Sequence, residues 1–203
     1  MKIFAVIRNY DDDGADGSVF GEGEPTWYTL PDSSLLRSGN PFFVPDFDKN
    51  FYAFPSIVYR IGRLGKSIAK RFASRYIEAW GMGVAVVATD LLKTLREAGL
   101  PWDEAVSFDR SCFLGNLEPI DTLINNNEAI KITCGGLETR YKTDCLRLPS
   151  HDIIEWLSRN NTLKNGDLIL AGLMPVGLPL KPGTKFEAHH ERLNTKYIDI
   201  NIR

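Results

Sequence analysis

Cysteine is scarce. Cys112, Cys134 and Cys145 are the whole supply, an odd number with no C-x-x-C spacing. That excludes a disulfide framework and a cysteine zinc site, and it suits free thiols in a reducing cytoplasm. Long apolar runs are also lacking. The N-terminus offers only Ile3 to Ile7 before Arg8 and the acids Asp11, Asp12 and Asp13, too short for a signal peptide. The longest uncharged stretch, Leu168 to Leu180, is broken by Pro175 and Pro179 and cannot span a bilayer. There is no block of one charge: 24 Lys and Arg stand against 26 Asp and Glu, for a net charge of −2. Nothing electrostatic therefore calls for nucleic acid. A soluble, cytoplasmic protein without a membrane partner is expected.

The 203 residues are 43% hydrophobic and 25% charged, an ordinary globular balance. A chain of this length buries about 70% of its unfolded surface and needs neither disulfide nor metal to fold. One domain over residues 1–203 is expected. Residues 1–50 form its N-terminal strand and mobile loop region, and 51–203 its core.

Lys2 to Arg8 reads as a buried strand, followed by a loop over 11–25 with Gly14, Gly17, Gly21 and Gly23. Phe42 to Val44 and Ile57 to Ile61 read as strands. Between Ser67 and Trp80, Ile68, Phe72, Tyr76 and Trp80 recur every four residues, which predicts a helix capped by Ser67. Val84 to Ala88 reads as a strand, and Asp90 as the cap of a short helix ending at Gly99-Leu100-Pro101. Alternating strands flank Gly135-Gly136, a hairpin turn signal. Ser150 to Asn160 reads as a helix, and Leu168 to Leu173, Lys185 to Ala188 and Lys196 to Ile202 as strands. Strands outnumber helices without regular alternation, which gives an α+β fold.

Local chemistry is sparse. Asp11 to Asp13 with Asp16 has oxygens for a hard cation but sits in a glycine-rich loop, where a solvated acidic turn is the plainer reading. His189-His190-Glu191 has no third ligand signposted and reads as a charged surface turn between strands. His151 falls in the first turn of its helix and reads as exposed.

The order of segments says more. Asn9-Tyr10 follows the first strand, and Pro31-Asp32-Ser33 and Phe42-Phe43-Val44-Pro45-Asp46 come next. Then come Ile61-Gly62-Arg63-Leu64-Gly65-Lys66-Ser67-Ile68, Asp90-Leu91, Gly99-Leu100-Pro101-Trp102, Phe108-Asp109, Thr162-Leu163, Gly166-Asp167 and Pro182-Gly183. In this order the chain resembles the fumarylacetoacetate hydrolase family over nearly its whole length. The resemblance implies a mixed β-sheet roll of that family's C-terminal-domain type with a few short helices. It also implies a homodimer, and Trp27, Tyr28, Phe42 and Phe43 offer aromatic surface for one.

The family's chemistry rests on a divalent ion, Mg, Mn or Ca, held by a Glu-x-Glu and an Asp. It acts as a Lewis acid on a 1,3-dicarbonyl or 2-oxo acid. The resemblance places those ligands at Phe54, Ser56 and Ala85. It places the family's Arg at Thr89, its lysines at Leu30 and Val106, its His and Glu at Asp13 and Asp16, and its polar Thr turn at Leu173. No acid lies between Asn50 and Ile77. Phe54 and Ala85 carry no donor atom, and Ser56 alone suits a hard ion poorly. The expected outcome is no cofactor and a lost metal-dependent C–C hydrolase or isomerase activity. That leaves a pseudoenzyme that binds an apolar ligand or regulates an active paralogue. The alternatives are metal-free chemistry by Asp13 and Asp16, or an active metal-dependent enzyme of acylpyruvate-like or 2-oxo-dienoate compounds.

Overall fold

The computed structural model describes residues 1–11, 18–122, 129–190 and 195–203. In chain order the strands are β1 (Ile3–Ile7), β2 (Thr26–Leu30), β3 (Leu35–Arg37), β4 (Phe51–Ile61), β5 (Ile77–Ala88), β6 (Cys112–Pro119), β7 (Ala129–Cys134), β8 (Leu137–Lys142), β9 (Leu168–Leu170), β10 (Leu178–Pro179), β11 (Lys185–His190) and β12 (Thr195–Asn201). The α-helices are α1 (Thr89–Glu97), α2 (Asp103–Val106) and α3 (Ser150–Asn160).

One sheet runs β2-β1-β9-β4-β5-β6-β3, with β10 paired to β4. A second, of four strands, runs β12-β11-β7-β8. β1–β9 and β3–β6 are parallel and the other pairs antiparallel, so the larger sheet is mixed. Its central strands β1, β4, β5 and β9 read as nearly continuous apolar runs because both faces are covered. The period of two sorts their side chains. Phe4, Val6, Ile57, Val84, Val86 and Ile169 join a core shared with the small sheet and α3. Ile3, Ala5, Ile7, Phe54, Val58, Ala85, Val87 and Leu170 join a second core, closed by α1 and α2. β1 is fully buried between β2 and β9, so the first fifty residues contribute to the centre of the sheet.

Several expectations hold, and several do not. The Gly135-Gly136 hairpin forms, with φ of +56° and +86°, a pair of left-handed residues that suits the twist of β7 and β8. α3 spans the expected residues. The helix expected over Ser67 to Trp80 does not form. Ser67 has φ +52°, Ala69 is extended, only a 3-10 turn covers Lys70–Tyr76, and Ile77 already opens β5. The four-residue period fails because Phe72 points outward, 37% exposed, with the guanidinium groups of Arg71 and Arg75 at 4.8 and 5.0 Å from its ring. Phe42 to Val44 is not a strand, and only Phe42 bridges to Ile202. Asp90 does not cap α1. Asp48 does so from outside the helix, accepting the Leu91 N–H at 2.9 Å, while Asp90 accepts from Asn50 Nδ2. His189 and His190 lie within β11 rather than in a turn, and His190 is buried. Glu191 lies outside the described residues.

On the outer face of the small sheet, Lys185 and Lys196 each contact both Glu187 and Asp199 at 2.9 to 3.1 Å. Alternation in β11, and in β12 with a bulge at Tyr197 that skips one residue, sends these four outward and Phe186, Ala188, Ile198 and Ile200 inward.

Candidate functional site

β4 and β5 pair antiparallel in a register that sets Phe54 opposite Ala85 and Ser56 opposite Gly83. The next strand continues the row, with Ala85 opposite Cys112. Phe54, Ser56 and Ala85 therefore share one sheet face, as the resemblance requires of a ligand set, and all three are fully buried.

What surrounds them is apolar. Leu30, Phe54, Ala85, Val106 and Leu173, five of the positions singled out in the sequence, fall in one packed cluster with Phe20, Leu92, Cys112 and Leu114. Phe20 meets Phe54 edge-on, ring centroids 5.1 Å apart, and lies 6.4 Å from the ring of Tyr28. Burial pushes the Cys112 thiol up to about 12. It raises the Tyr28 phenol well above its ordinary value, with the nearby Cys112 adding to the effect.

The side chains at these three positions can be set against what a metal needs. The only heteroatom among Phe54, Ser56 and Ala85 side chains is Ser56 Oγ. It donates to the Ile57 carbonyl at 2.8 Å and accepts the Gly172 N–H at 3.0 Å. A hard divalent ion takes several oxygens, carboxylates foremost. The residues present do not fit such an ion. Among the described residues no three His, Cys, Asp or Glu come together as a metal cluster.

Thr89 stands apart from the cluster. Its hydroxyl donates to the Asn50 carbonyl at 3.1 Å, and it lines an outer groove with Val19, Asp90, Leu92, Lys93 and Arg96. Asp13 and Asp16 lie outside the described residues. A cleft of about 300 Å³ opens beside Phe20 and Leu173, walled by Arg8, Tyr10, Asp11, Glu22 and Arg147, and its lining stops short of Phe54 and Ala85. Of the aromatics expected on the surface, Phe42 is buried, Phe43 is 54% exposed, and Trp27 and Tyr28 pack against the two cores.

Sequence reasoning missed Phe20. It sits in a glycine-rich stretch with no periodicity, and its contacts with Phe54 and Tyr28 depend on chain reversal that no local pattern announces. Asn9 was legible only as a motif residue. In the fold it is fully buried and holds three backbone groups: Nδ2 donates to the carbonyls of Leu148 (3.1 Å) and Ala171 (2.7 Å), and Oδ1 accepts the Leu148 N–H at 2.7 Å.

Comparisons with known proteins agree with this architecture. The mitochondrial oxaloacetate tautomerase of Mus musculus is 28% identical, the match covering 92% of this chain and 86% of the mouse protein. The mitochondrial oxaloacetate decarboxylase of Dictyostelium discoideum is 27% identical over 100% of this chain and 94% of its own. The crystal structure of the fumarylpyruvate hydrolase of Pseudomonas aeruginosa, in complex with Mn2+ and pyruvate, superposes with a TM-score of 0.84 at 22% identity. That match covers 100% of this chain and 90% of the other. The family model for the C-terminal region of fumarylacetoacetate hydrolase matches residues 2–196. With that span matched and the sheet in place, the chain belongs to the fumarylacetoacetate hydrolase family.

Proposed function

We propose that this chain keeps the family's scaffold without its metal-dependent chemistry, and that it works by binding: a small apolar ligand, a second copy of itself, or an active relative. The observation that carries the reading is the pairing of Phe54 with Ala85, beside a Ser56 hydroxyl whose hydrogen bonds go to Ile57 and Gly172. Restoring a cation there requires carboxylates, and the surrounding cluster is apolar.

A second reading has its own support. Relatives named as oxaloacetate tautomerase and oxaloacetate decarboxylase match 92% and 100% of this chain, which favours an active enzyme of a 2-oxo acid. That reading has to draw its ligands and its acid–base pair from other residues, Asp13 and Asp16 included.

One experiment separates them. Thermal melting is followed with and without millimolar Mn2+ or Mg2+, alongside turnover assays with oxaloacetate and fumarylpyruvate. A ligand at one hundred times its dissociation constant adds about 2.7 kcal/mol. For a domain this size that is roughly 5–10 °C of melting temperature. The proposal expects no shift and no turnover. Metal-dependent turnover of either substrate would falsify it.

For the assembly we propose a homodimer, supported by Phe43 and Phe47, 54% and 47% exposed in one connecting loop. Light scattering at micromolar concentration that gives a monomer mass overturns this.

A further inference from the structure

Phe20 is held in place in an unusual way. Phe20, in the segment 19–23, belongs to the second core, and the grip on that segment comes from three arginine side chains: Arg8 just after β1, Arg96 in α1 and Arg147 in the connection before α3. Arg8 Nε and Nη2 donate to the Phe20 carbonyl at 3.1 and 2.9 Å. Arg96 Nη1, from α1, donates to the Val19 carbonyl at 2.6 Å, and Arg147 Nη1 donates to the Gly23 carbonyl at 3.0 Å. The backbone bond recorded for this segment, Gly21 N–H to the Ser18 carbonyl at 2.9 Å, is local. Gly21 and Gly23 follow Phe20 with φ of +72° and +125°, positive values that glycine adopts at little cost. The ring is thus carried on a short strap, pinned by side chains rather than woven into a sheet.

The ring also covers something. The Tyr28 hydroxyl is buried and has no hydrogen-bond partner among the described residues, although a buried phenol ordinarily finds one. Tyr28 packs against the second core, which contains Phe54, Cys112 and Leu30, and Cys112 lies near its phenol. The 300 Å³ cleft begins at the outer edge of Phe20. Among the described residues its walls carry two cations, Arg8 and Arg147, and two acids, Asp11 and Glu22.

We infer that Phe20 is a displaceable plug over a binding site for a neutral, single-ring aromatic molecule that carries one hydroxyl or carbonyl oxygen. The ring of the ligand takes the place of the Phe20 ring against Phe54, and its oxygen hydrogen-bonds the Tyr28 hydroxyl. The inference rests on the proposed loss of metal chemistry, since a cation and its carboxylates need the same space. A carboxylate or phosphate on the ligand is disfavoured, because burying a charge without a partner is costly.

Phenol and toluene are the probes, matched in shape and differing in the oxygen. The full-length chain is titrated with each, by calorimetry and by the ring resonances of Tyr28, as wild type, Phe20→Ala and Phe20→Ala/Tyr28→Phe. Displacing the plug lowers apparent affinity by the fraction of open state, and an apolar cavity left by a truncated ring takes up aromatic guests. Phe20→Ala is expected to bind phenol at least 10-fold more tightly than wild type, and more tightly than toluene. Adding Tyr28→Phe is expected to weaken phenol about 3- to 10-fold, the range of one neutral hydrogen bond, while leaving toluene unchanged.

Equal affinity for phenol and toluene, or no saturable binding by a folded Phe20→Ala chain, overturns the inference. Where Phe20→Ala does not fold, Phe20→Leu and the wild-type titration decide in the same way. Mn2+ is titrated in parallel. No binding of either probe and no binding of Mn2+ sinks this inference alone, whereas stoichiometric Mn2+ binding sinks the loss of metal chemistry beneath it.

Discussion

Asn9 Nδ2 donates to the carbonyl of Ala171 at 2.7 Å, tying the end of β1 to the segment that leaves β9. The same side chain clamps Leu148 through both its N–H and its carbonyl. Removing it leaves three buried backbone groups unsatisfied, each costing about 1–3 kcal/mol. Asn9→Leu is expected to lower stability by about 3–5 kcal/mol and the melting temperature by roughly 10 °C. Asn40→Ala, an exposed control, is expected to move it by about a degree or less. Equal melting temperatures for the two variants would show that Asn9 is not a structural clamp.

Ala85→Asp tests the apolar character of the site. The new carboxylate would face Phe54 and Cys112 among the packed hydrophobic side chains of the second core. Leaving a buried charge uncompensated costs about 3–5 kcal/mol. The variant is expected to melt roughly 10 °C lower at pH 7, and to recover part of that loss at pH 4, where the carboxyl is more often neutral. A variant as stable as wild type, or one stabilised by Mn2+ without further changes, would show that the site tolerates an ion.

The legible part of the fold was the part with local signals. Gly135-Gly136, the alternating strands on either side of it and the Ser150 start of α3 each carry their own punctuation. The region from Ser67 to Trp80 misled because two structures wrote one pattern. Ile77, Ala79 and Trp80 are the buried start of a strand in which Glu78 faces out, and Ile68 and Phe72 belong to an irregular stretch in which one ring turns outward. The candidate site was legible as a set of substitutions. Their convergence on one cluster follows from the β4–β5 register and from Phe20, and neither is encoded within a few residues.

Glu187 and Asp199 give the protein an acid limb. Hydrogen bonds from Lys196 and then Lys185 hold both carboxyls below their ordinary values. Their contribution is therefore present above the unfolded-state values, near 4, and is lost as pH falls through the lower folded-state values. Lys196 is shifted up by the same partners, so its contribution persists at neutral pH and is lost only above about pH 10. The four groups are partly exposed, so the effect is modest and shrinks in high salt. Asp199→Asn is expected to lose less melting temperature than wild type between pH 7 and pH 3. Parallel melting curves across that interval would exclude the square as a contributor.

The thiols report on packing. Cys112 is buried in the candidate site with its thiol pushed up to about 12, and Cys134 is buried and also shifted up. Cys145 is only half-buried. Iodoacetamide at pH 8 is expected to modify Cys145 first, and Cys112 only on the timescale of unfolding, since the thiolate is the reactive form. Mass spectrometry of peptides over time reads the order directly. Rapid modification of Cys112 in the folded protein would mean that the cluster around Phe54 is open to water.

The hydroxyl of Ser56 bears on the history open to this lineage. By bonding both the Ile57 carbonyl and the Gly172 N–H, it staples β4 to the chain that follows β9. A first mutation toward a carboxylate at 56 would break that staple and bury a charge before any partner ligand existed. Changes at 54 or 85 alone would meet the same penalty. Each single step would cost stability, and the benefit of a bound ion would arrive only with the full set. On the reading proposed above, the staple would work as a ratchet: the scaffold could drift toward new ligands, while a return to a carboxylate ligand set would be closed to one-residue moves.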